Sequence, residues 1–377
     1  MTRALVTGGC GFVGRHLCDR LLAEGFDVVC VDLMKPGTGA RPPVSRQRLH
    51  RQFTLNEQDC RAFFESAHEH FDYVFHLAAL VGGRMTLENQ TLLVAEDLAV
   101  DAALWRWAGE CRPGTVVYFS SSAAYPVALQ TEAMQTRLCE DMISFERPLG
   151  VPDLSYGWTK LTGEYLMKLY VERYGGRAVA YRPFSGYGED QDLAYPLPAI
   201  CSRLIKERGA PEVSVWGSGH QCRDFIHISD CVDFIWKTMD VLASGASLNL
   251  STGKATSFIA LAELVSRELG WTPQVRGTAS RPEGVFFRCG DVALQKSFGL
   301  TPKIGIEEGV RRCLKHHHRL EAACARPTNL IAQAGNWPEP LNNHSSLTRT
   351  KNGHDVVATE ECKGMSVKAS AATRLQV

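Results

Sequence analysis

The stretch Thr7-Gly8-Gly9-Cys10-Gly11-Phe12-Val13-Gly14 constrains this chain most. It follows a short apolar run, Ala4-Leu5-Val6, of the kind buried on both faces of a sheet. It opens an amphipathic segment that reaches about Glu24 and stops at Gly25, and a second apolar run over residues 27–31 ends on Asp32. Strand, glycine-rich turn, helix and strand with an acidic end make a βαβ unit whose first turn suits a pyrophosphate. Gly8 suits the tight turn, Gly11 close approach of a phosphate, and Gly14 contact between helix and strand. Phe12 and Val13, at the helix start, belong to the same candidate cradle. Asp32 can accept hydrogen bonds from both ribose hydroxyls and repels a 2′-phosphate, so NAD is expected rather than NADP. Arg41, Arg46 and Arg48 in the following loop read as solvated charges.

Strands and helices go on alternating. Strands are expected over 49–54, 73–77, 116–119 and 178–181, and helices over 60–69, 92–110 and 155–174. This alternation predicts an α/β fold: a Rossmann-type doubly wound parallel sheet with a smaller C-terminal substrate lobe. The expected bounds are 1–181 for the dinucleotide-binding domain and 182–324 for the lobe, part of which can return to the first sheet. Residues 325–377 lack periodicity and read as a polar, disordered tail.

Ligands in such sheets bind at the carboxyl ends of the strands. His76-Leu77-Ala78-Ala79 ends one strand, and the small residues there let a cofactor pass. Ser120-Ser121-Ser122-Ala123-Ala124-Tyr125 follows another. Downstream, Tyr156 and Lys160 lie four apart on one face of the expected helix. An ammonium beside a phenol favours the phenolate. With a hydroxyl from Ser121 to share the proton, Tyr156 becomes a candidate general base near neutral pH.

Composition narrows the partners. Lys+Arg and Asp+Glu both number 41, so no basic field favours nucleic acid or an anionic membrane. The 13 cysteines are scattered, with no CxxC pair and no His/Cys cluster at metal-ligand spacing, so no metal is expected. That pattern suits a reducing cytosol, and no apolar run reaches the length of a membrane span. The first residues lead directly into a strand without a basic-then-apolar leader, and a cytoplasmic location is expected.

Residues 7–14, Asp32, residues 76–79, 120–125, 156–160, 182–188 and 223–227 jointly resemble the extended short-chain dehydrogenase/reductase superfamily, in its nucleotide-sugar epimerase/dehydratase branch. The likeness runs from the N-terminus to about Leu320. It implies that the glycine turn and Asp32 hold the cofactor, joined by Leu77, Ala78, Ala79, Ser120, Arg182 and Phe184. It implies that Tyr156 is the base, that Lys160 holds the nicotinamide ribose and depresses the phenol pKa, and that Ser121 binds the reacting hydroxyl. Val81-Gly82-Gly83 and Pro282-Glu283-Gly284-Val285 are similar to GDP-mannose 3,5-epimerases and GDP-fucose synthases. Arg223 and Arg288 match positions where relatives bind the diphosphate, a task suited to bidentate guanidinium. Gly83, Arg84 and Ser122 complete the expected substrate set.

The chain departs from those relatives in two places. Ala123 stands where 3,5-epimerases and fucose synthases carry a cysteine and where dehydratases carry the second member of an Asp-Glu pair. No lysine occurs over 192–199, where the 3,5-epimerase acid belongs; Tyr195 is the remaining candidate there. The resemblance then implies chemistry that needs hydride transfer and one hydroxyl base: C4 epimerisation of a GDP- or UDP-sugar, as in UDP-sugar 4-epimerases. A 3,5-epimerase or keto-sugar reductase on a GDP-sugar is the alternative, and a non-catalytic NAD-binding regulator is the alternative of another class. The resemblance also implies a homodimer through a four-helix bundle of the helices at 92–110 and 155–174, with Trp105, Trp107, Leu166 and Leu169 as apolar candidates.

Overall fold

β1 (Arg3–Thr7) lies inside a seven-stranded sheet in the computed structural model, which describes residues 1–34, 41, 47, 50–278 and 283–324. On one side of it come β2 (Asp27–Asp32) and β3 (Phe53–Glu57). On the other come β4 (Tyr73–His76), β5 (Thr115–Phe119), β7 (Ala178–Pro183) and β11 (Ser247–Leu250). All six pairings are parallel, as crossover connections require. The strand order reverses between β1 and β4, which places the crevice of a doubly wound sheet at their carboxyl ends.

Side chains alternate across β1. Ala4 and Val6 join a core with Leu17 and Leu21 of α1 (Phe12–Ala23) and with Phe234 and Ile235 of α8 (Ile228–Thr238). Leu5 points the other way, into a core with Phe63 of α2 (Cys60–Ser66), Leu104 of α5 (Asp97–Cys111) and Met167 of α6 (Leu154–Tyr174). Apolar residues on both faces explain why the strand reads as an unbroken hydrophobic run. α6 stops at Gly175, whose φ of 66° is the left-handed cap glycine adopts most easily.

The lobe is built on β10 (Cys222–His227). Antiparallel β12 (Ala255–Ser257) and parallel β14 (Phe287–Gly290) flank it, the short β6 (Arg137–Leu138) extends β14, and β8 (Ser185–Tyr187) pairs with β10. A separate parallel pair joins β9 (Glu212–Trp216) to β13 (Gln274–Thr278). The lobe core gathers residues of α7 (Pro196–Lys206), α9 (Phe258–Glu268) and α11 (Ile306–Cys324).

Several expectations are revised. The third strand lies at 53–57, beyond the expected 49–54. The helix expected over 92–110 is interrupted at Ala95 and Glu96, which divide it into the single turn α4 (Thr91–Val94) and α5, and a further helix, α3 (Arg84–Asn89), precedes it. Gln90, whose φ of −125° and ψ of 42° leave the helical region, separates α3 from α4. The expected return of part of 182–324 to the first sheet is made by α8, which covers the large sheet, and by β11, which extends it. Arg46, Arg48, Pro282 and the tail at 325–377 lie outside the described residues. No helix among the described residues is long and apolar enough to cross a membrane.

Candidate functional site

A cavity of about 1110 Å³ opens at the carboxyl ends of the large sheet, between it and the lobe strands. Gly8, Gly11, Phe12, Val13, Gly14 and Asp32 line one end. Leu77, Ala78, Ala79, Ser120, Ser121, Ser122, Tyr156, Lys160 and Phe184 line the middle, and Gly83, Arg84, Arg223 and Arg288 the other end.

The glycine turn is shaped by close approach. Gly8 has φ of 70°, and a Cβ there would stand 2.7 Å from the Ala78 nitrogen on β4's far side. A Cβ on Gly14 would overlap the Gly8 carbonyl. α1 begins at Gly11 without a side-chain cap, so its first N–H groups are available to an anion. Asp32 ends β2 and is fixed by two backbone donors, Cys10 at 2.9 Å and Met34 at 3.0 Å. Each carboxylate oxygen keeps a lone pair for a ribose hydroxyl. These residues fit a dinucleotide. Arg15, not singled out in the sequence, bonds the Cys10 carbonyl at 3.0 Å and pairs with Asp190 at 2.8 Å, tying the turn to the loop after β8.

In the middle of the cavity, Tyr156 is half-buried and Lys160 is 2% exposed. The Lys160 ammonium stands 5.8 Å from the Tyr156 ring centroid and 5.3 Å from that of Tyr118. The Ser121 hydroxyl accepts from the Ala123 N–H at 3.1 Å and hydrogen-bonds Tyr156. The residues expected to form the base are brought together, but their electrostatics differ from the sequence expectation. The phenol lies above its ordinary value, because burial outweighs the pull of Lys160 and of the Ser121 bond. Asp97 and Asp101, which the sequence reading overlooked, push it the same way as burial does. Lys160 is itself raised: burial opposes its charge, but Asp101, Tyr156 and Asp97 prevail.

At the far end, Asp153 joins Arg84 at 3.0 Å and Arg288 at 2.8 Å. Burial would raise its carboxyl, but the two guanidiniums outweigh that and hold it low. An acid three residues before Tyr156, at the start of α6, was the sequence signal for it. Arg84 also pairs with Glu88 at 2.6 Å. Among the described residues Arg223 bonds only carbonyls, those of Cys222 and Val285 at 2.8 Å and of Glu283 at 3.4 Å. Among the described residues no carboxylate pairs with it, and burial together with Arg288 pushes it down to about 9. An under-neutralised guanidinium in a cavity wall is suited to a doubly charged anion.

Arg182 is placed elsewhere. It does not line the cavity; it is 2% exposed and pairs with Glu164 at 2.6 Å, with further bonds to the Tyr125 hydroxyl and the Glu140 carbonyl. The Ser120 hydroxyl is likewise committed to Glu164, although Ser120 borders the cavity. Lys160 is the lysine that lines the cavity, and Tyr195 is the phenol contributed by residues 192–199.

Residues 4–251 match the family described as "NAD dependent epimerase/dehydratase family". The chain belongs to that family. Its cofactor is NAD. A dTDP-4-dehydro-6-deoxy-D-allose reductase from a Streptomyces species is 29% identical over 317 residues, covering 81% of this chain and 94% of the relative. A probable GDP-L-fucose synthase from Oryza sativa subsp. japonica is 28% identical over 322 residues, covering 82% and 89%. The crystal structure of UDP-glucuronic acid 4-epimerase from Bacillus cereus, in complex with UDP-glucuronic acid and NAD, superposes with a TM-score of 0.72 at 21% identity, covering 85% of this chain and all of that one. The chain is therefore an enzyme of the nucleotide-sugar epimerase, dehydratase and reductase family.

Proposed function

We propose that this enzyme epimerises a nucleotide-diphosphate sugar, a GDP- or UDP-sugar, at C4 through a transient 4-keto sugar. The observation that carries the reading is the set Tyr156, Lys160 and Ser121 in the cavity, beside Ala123, with Lys160 the one lysine among the described lining residues. That set serves one hydroxyl. Bound NAD supplies a hydride acceptor that is restored within each turnover. Tyr156 takes the 4-hydroxyl proton and later returns it, and Ser121 hydrogen-bonds the same substrate oxygen. Lys160 and Ser121 draw the phenol toward ionisation against the cost of burial. Arg84, Arg223 and Arg288 outnumber their carboxylate partners Asp153 and Glu88, which suits a diphosphate.

A keto-sugar reductase is the second reading, favoured by the names of the Streptomyces and rice relatives. A 3,5-epimerase would require Tyr195 or another lining group to act as the acid. The test is incubation with a panel of GDP- and UDP-sugars without added cofactor, followed by NMR. Inversion at C4 is expected. A product formed only with stoichiometric consumption of NADH or NADPH would favour the reductase instead.

A cytoplasmic homodimer belongs to the same proposal, with a revised interface. Trp105 and Trp107 are buried in their own core, against Tyr118 and Tyr170 and against Phe64 and Phe71. Leu98 of α5 and Trp158 and Tyr165 of α6 are exposed apolar residues that would meet a second copy, with the half-buried Leu166 and Leu169 kept as candidates. A monomeric mass in light scattering at micromolar concentration would reject the dimer.

A further inference from the structure

Asp97 and Asp101 lie one turn apart on the face of α5 that packs against α6, and both are almost wholly buried, at 0% and 1% exposure. Like charges four residues apart on a helix disfavour each other, and burial disfavours each one separately. The arrangement is nevertheless built with care. Asp101 accepts from the Tyr118 hydroxyl at 2.5 Å and meets His76 Nε2 at 3.2 Å, while His76 Nδ1 lies 2.8 Å from the Thr7 hydroxyl. Gly163 of α6 leaves room for this: a Cβ there would overlap the Tyr118 hydroxyl and stand 2.7 Å from Asp101 Oδ2. Asp97 is less well satisfied. Its Oδ1 accepts from the Leu80 N–H at 2.6 Å, in the wall of the cavity, and its Oδ2 is buried without a partner among the described residues. Such an atom calls for an explanation.

We propose that Asp97, seconded by Asp101, is a positioning residue that opposes the charge of Lys160 and so sets the pH at which Tyr156 accepts its proton. The proposal rests on the reading of Tyr156 as the base. The groups facing this cluster are His76 from β4, Tyr118 from β5, Tyr156, Lys160 and Glu164 from α6, Cys60 from α2, and Tyr195 across the cavity. Glu164 is committed to Arg182. Burial lowers His76, so it stays neutral and adds no compensating charge. Lys160 is then the cation that two carboxylates address. Burial, opposed by Lys160 and the Leu80 N–H, raises Asp97 to about 6, so its charge changes within the working range of a neutral-pH enzyme. Ionised Asp97 raises the phenol and protonated Asp97 releases it, a linkage that makes the two titrations one coupled event.

The test follows Tyr156 itself and needs no sugar. The NAD-loaded protein carrying tyrosine labelled at the ring Cζ is titrated by NMR, with Tyr156→Phe identifying the resonance. Asp97→Asn keeps the size of the side chain and removes its charge. It is expected to lower the Tyr156 midpoint by about one pH unit, the scale of one charge across a partly screened protein interior. Lys160→Met is expected to raise it. An unmoved or raised midpoint in Asp97→Asn overturns the proposal. If Asp97→Asn fails to fold, carboxyl-labelled aspartate in the wild-type chain gives the second readout. One resonance should titrate near 6 and move up in Lys160→Met. If every aspartate titrates below about 5, near the ordinary range, the proposal is overturned. Failure here leaves the C4 reading standing, since the sugar panel tests that separately.

Discussion

Two buried charge networks sit one turn apart on α6, and they are made differently. At Glu164 every demand is met. Its carboxylate receives Arg182 at 2.6 and 2.9 Å, the Ser247 hydroxyl at 3.0 Å and the Ser120 hydroxyl. Arg182 spends its remaining donors on Tyr125 and Glu140, and the Tyr125 hydroxyl donates to Asn249 Oδ1 at 2.8 Å. At Lys160, one turn earlier, the ammonium faces two phenol rings and two carboxylates, and one carboxylate oxygen has no partner among the described residues. The first network locks β5, β7, β11 and α6 together. The second holds charge in an unfavourable place beside the cavity. A buried polar group fully paired stabilises and fixes geometry; one left short of partners is available to do chemistry.

The largest separation between the two should come from Tyr156→Phe. Removing the hydroxyl is expected to cut turnover by about 10²–10⁴, the range for losing a general base, while the melting temperature barely moves. Arg182→Met should do the reverse. It strands the Glu164 carboxylate, and chemical denaturation should register a loss of about 3–5 kcal/mol, with NAD affinity in the folded protein little changed. A loss under about 1 kcal/mol, typical of an exposed pair, would erase the distinction drawn between the networks.

The pH dependence sharpens the contrast because the signs oppose. Burial would raise Glu164, but Arg182 prevails and holds it low. Its stability contribution is therefore present above the ordinary carboxylate value and lost as pH falls through the depressed one. Asp97 is raised to about 6, so its contribution is present below its unfolded value and lost as pH rises through about 6. Asp97→Asn should thus be more stable than wild type at pH 7 by about 1–3 kcal/mol, a gain that closes below about pH 4. Denaturation curves at the two pH values check this. The smallest effect extends the rule to the far end of the cavity. Arg223 is buried and, among the described residues, lacks a carboxylate. Arg223→Ala should weaken UDP or GDP binding by calorimetry about 10- to 100-fold, the worth of a charged hydrogen bond, and spare NAD.

The cofactor end was the most legible part of the sequence. A glycine turn between two apolar runs and an acid at the second strand's end are local signals, and β1, α1 and β2 follow them within a residue or two. Tyr156 and Lys160 were legible because their spacing on one helix suffices to place them together. The acidic pair was not. Asp97 and Asp101 sit in a segment that reads as one amphipathic helix, and their burial follows from the packing of α5 on α6. Arg182 misled in the opposite way. Its place after a strand suggested the cavity, but its partner Glu164 lies on another element, and no local pattern links them. The lobe strands β6, β12 and β14 are two to four residues long and meet across large sequence separations, beyond what periodicity registers.

The most direct measurement is a turnover in heavy water with the nucleotide sugar that the panel selects, read by NMR at each ring carbon. In the proposed epimerisation Tyr156 would exchange protons only with oxygen, and the hydride would return to the sugar without entering the solvent. The account therefore predicts inversion at C4, no deuterium bound to any ring carbon, and no net change in NAD. Deuterium at C3 or C5 would contradict it by revealing proton removal from carbon, and net oxidation of NADH or NADPH would contradict it by revealing a reductase.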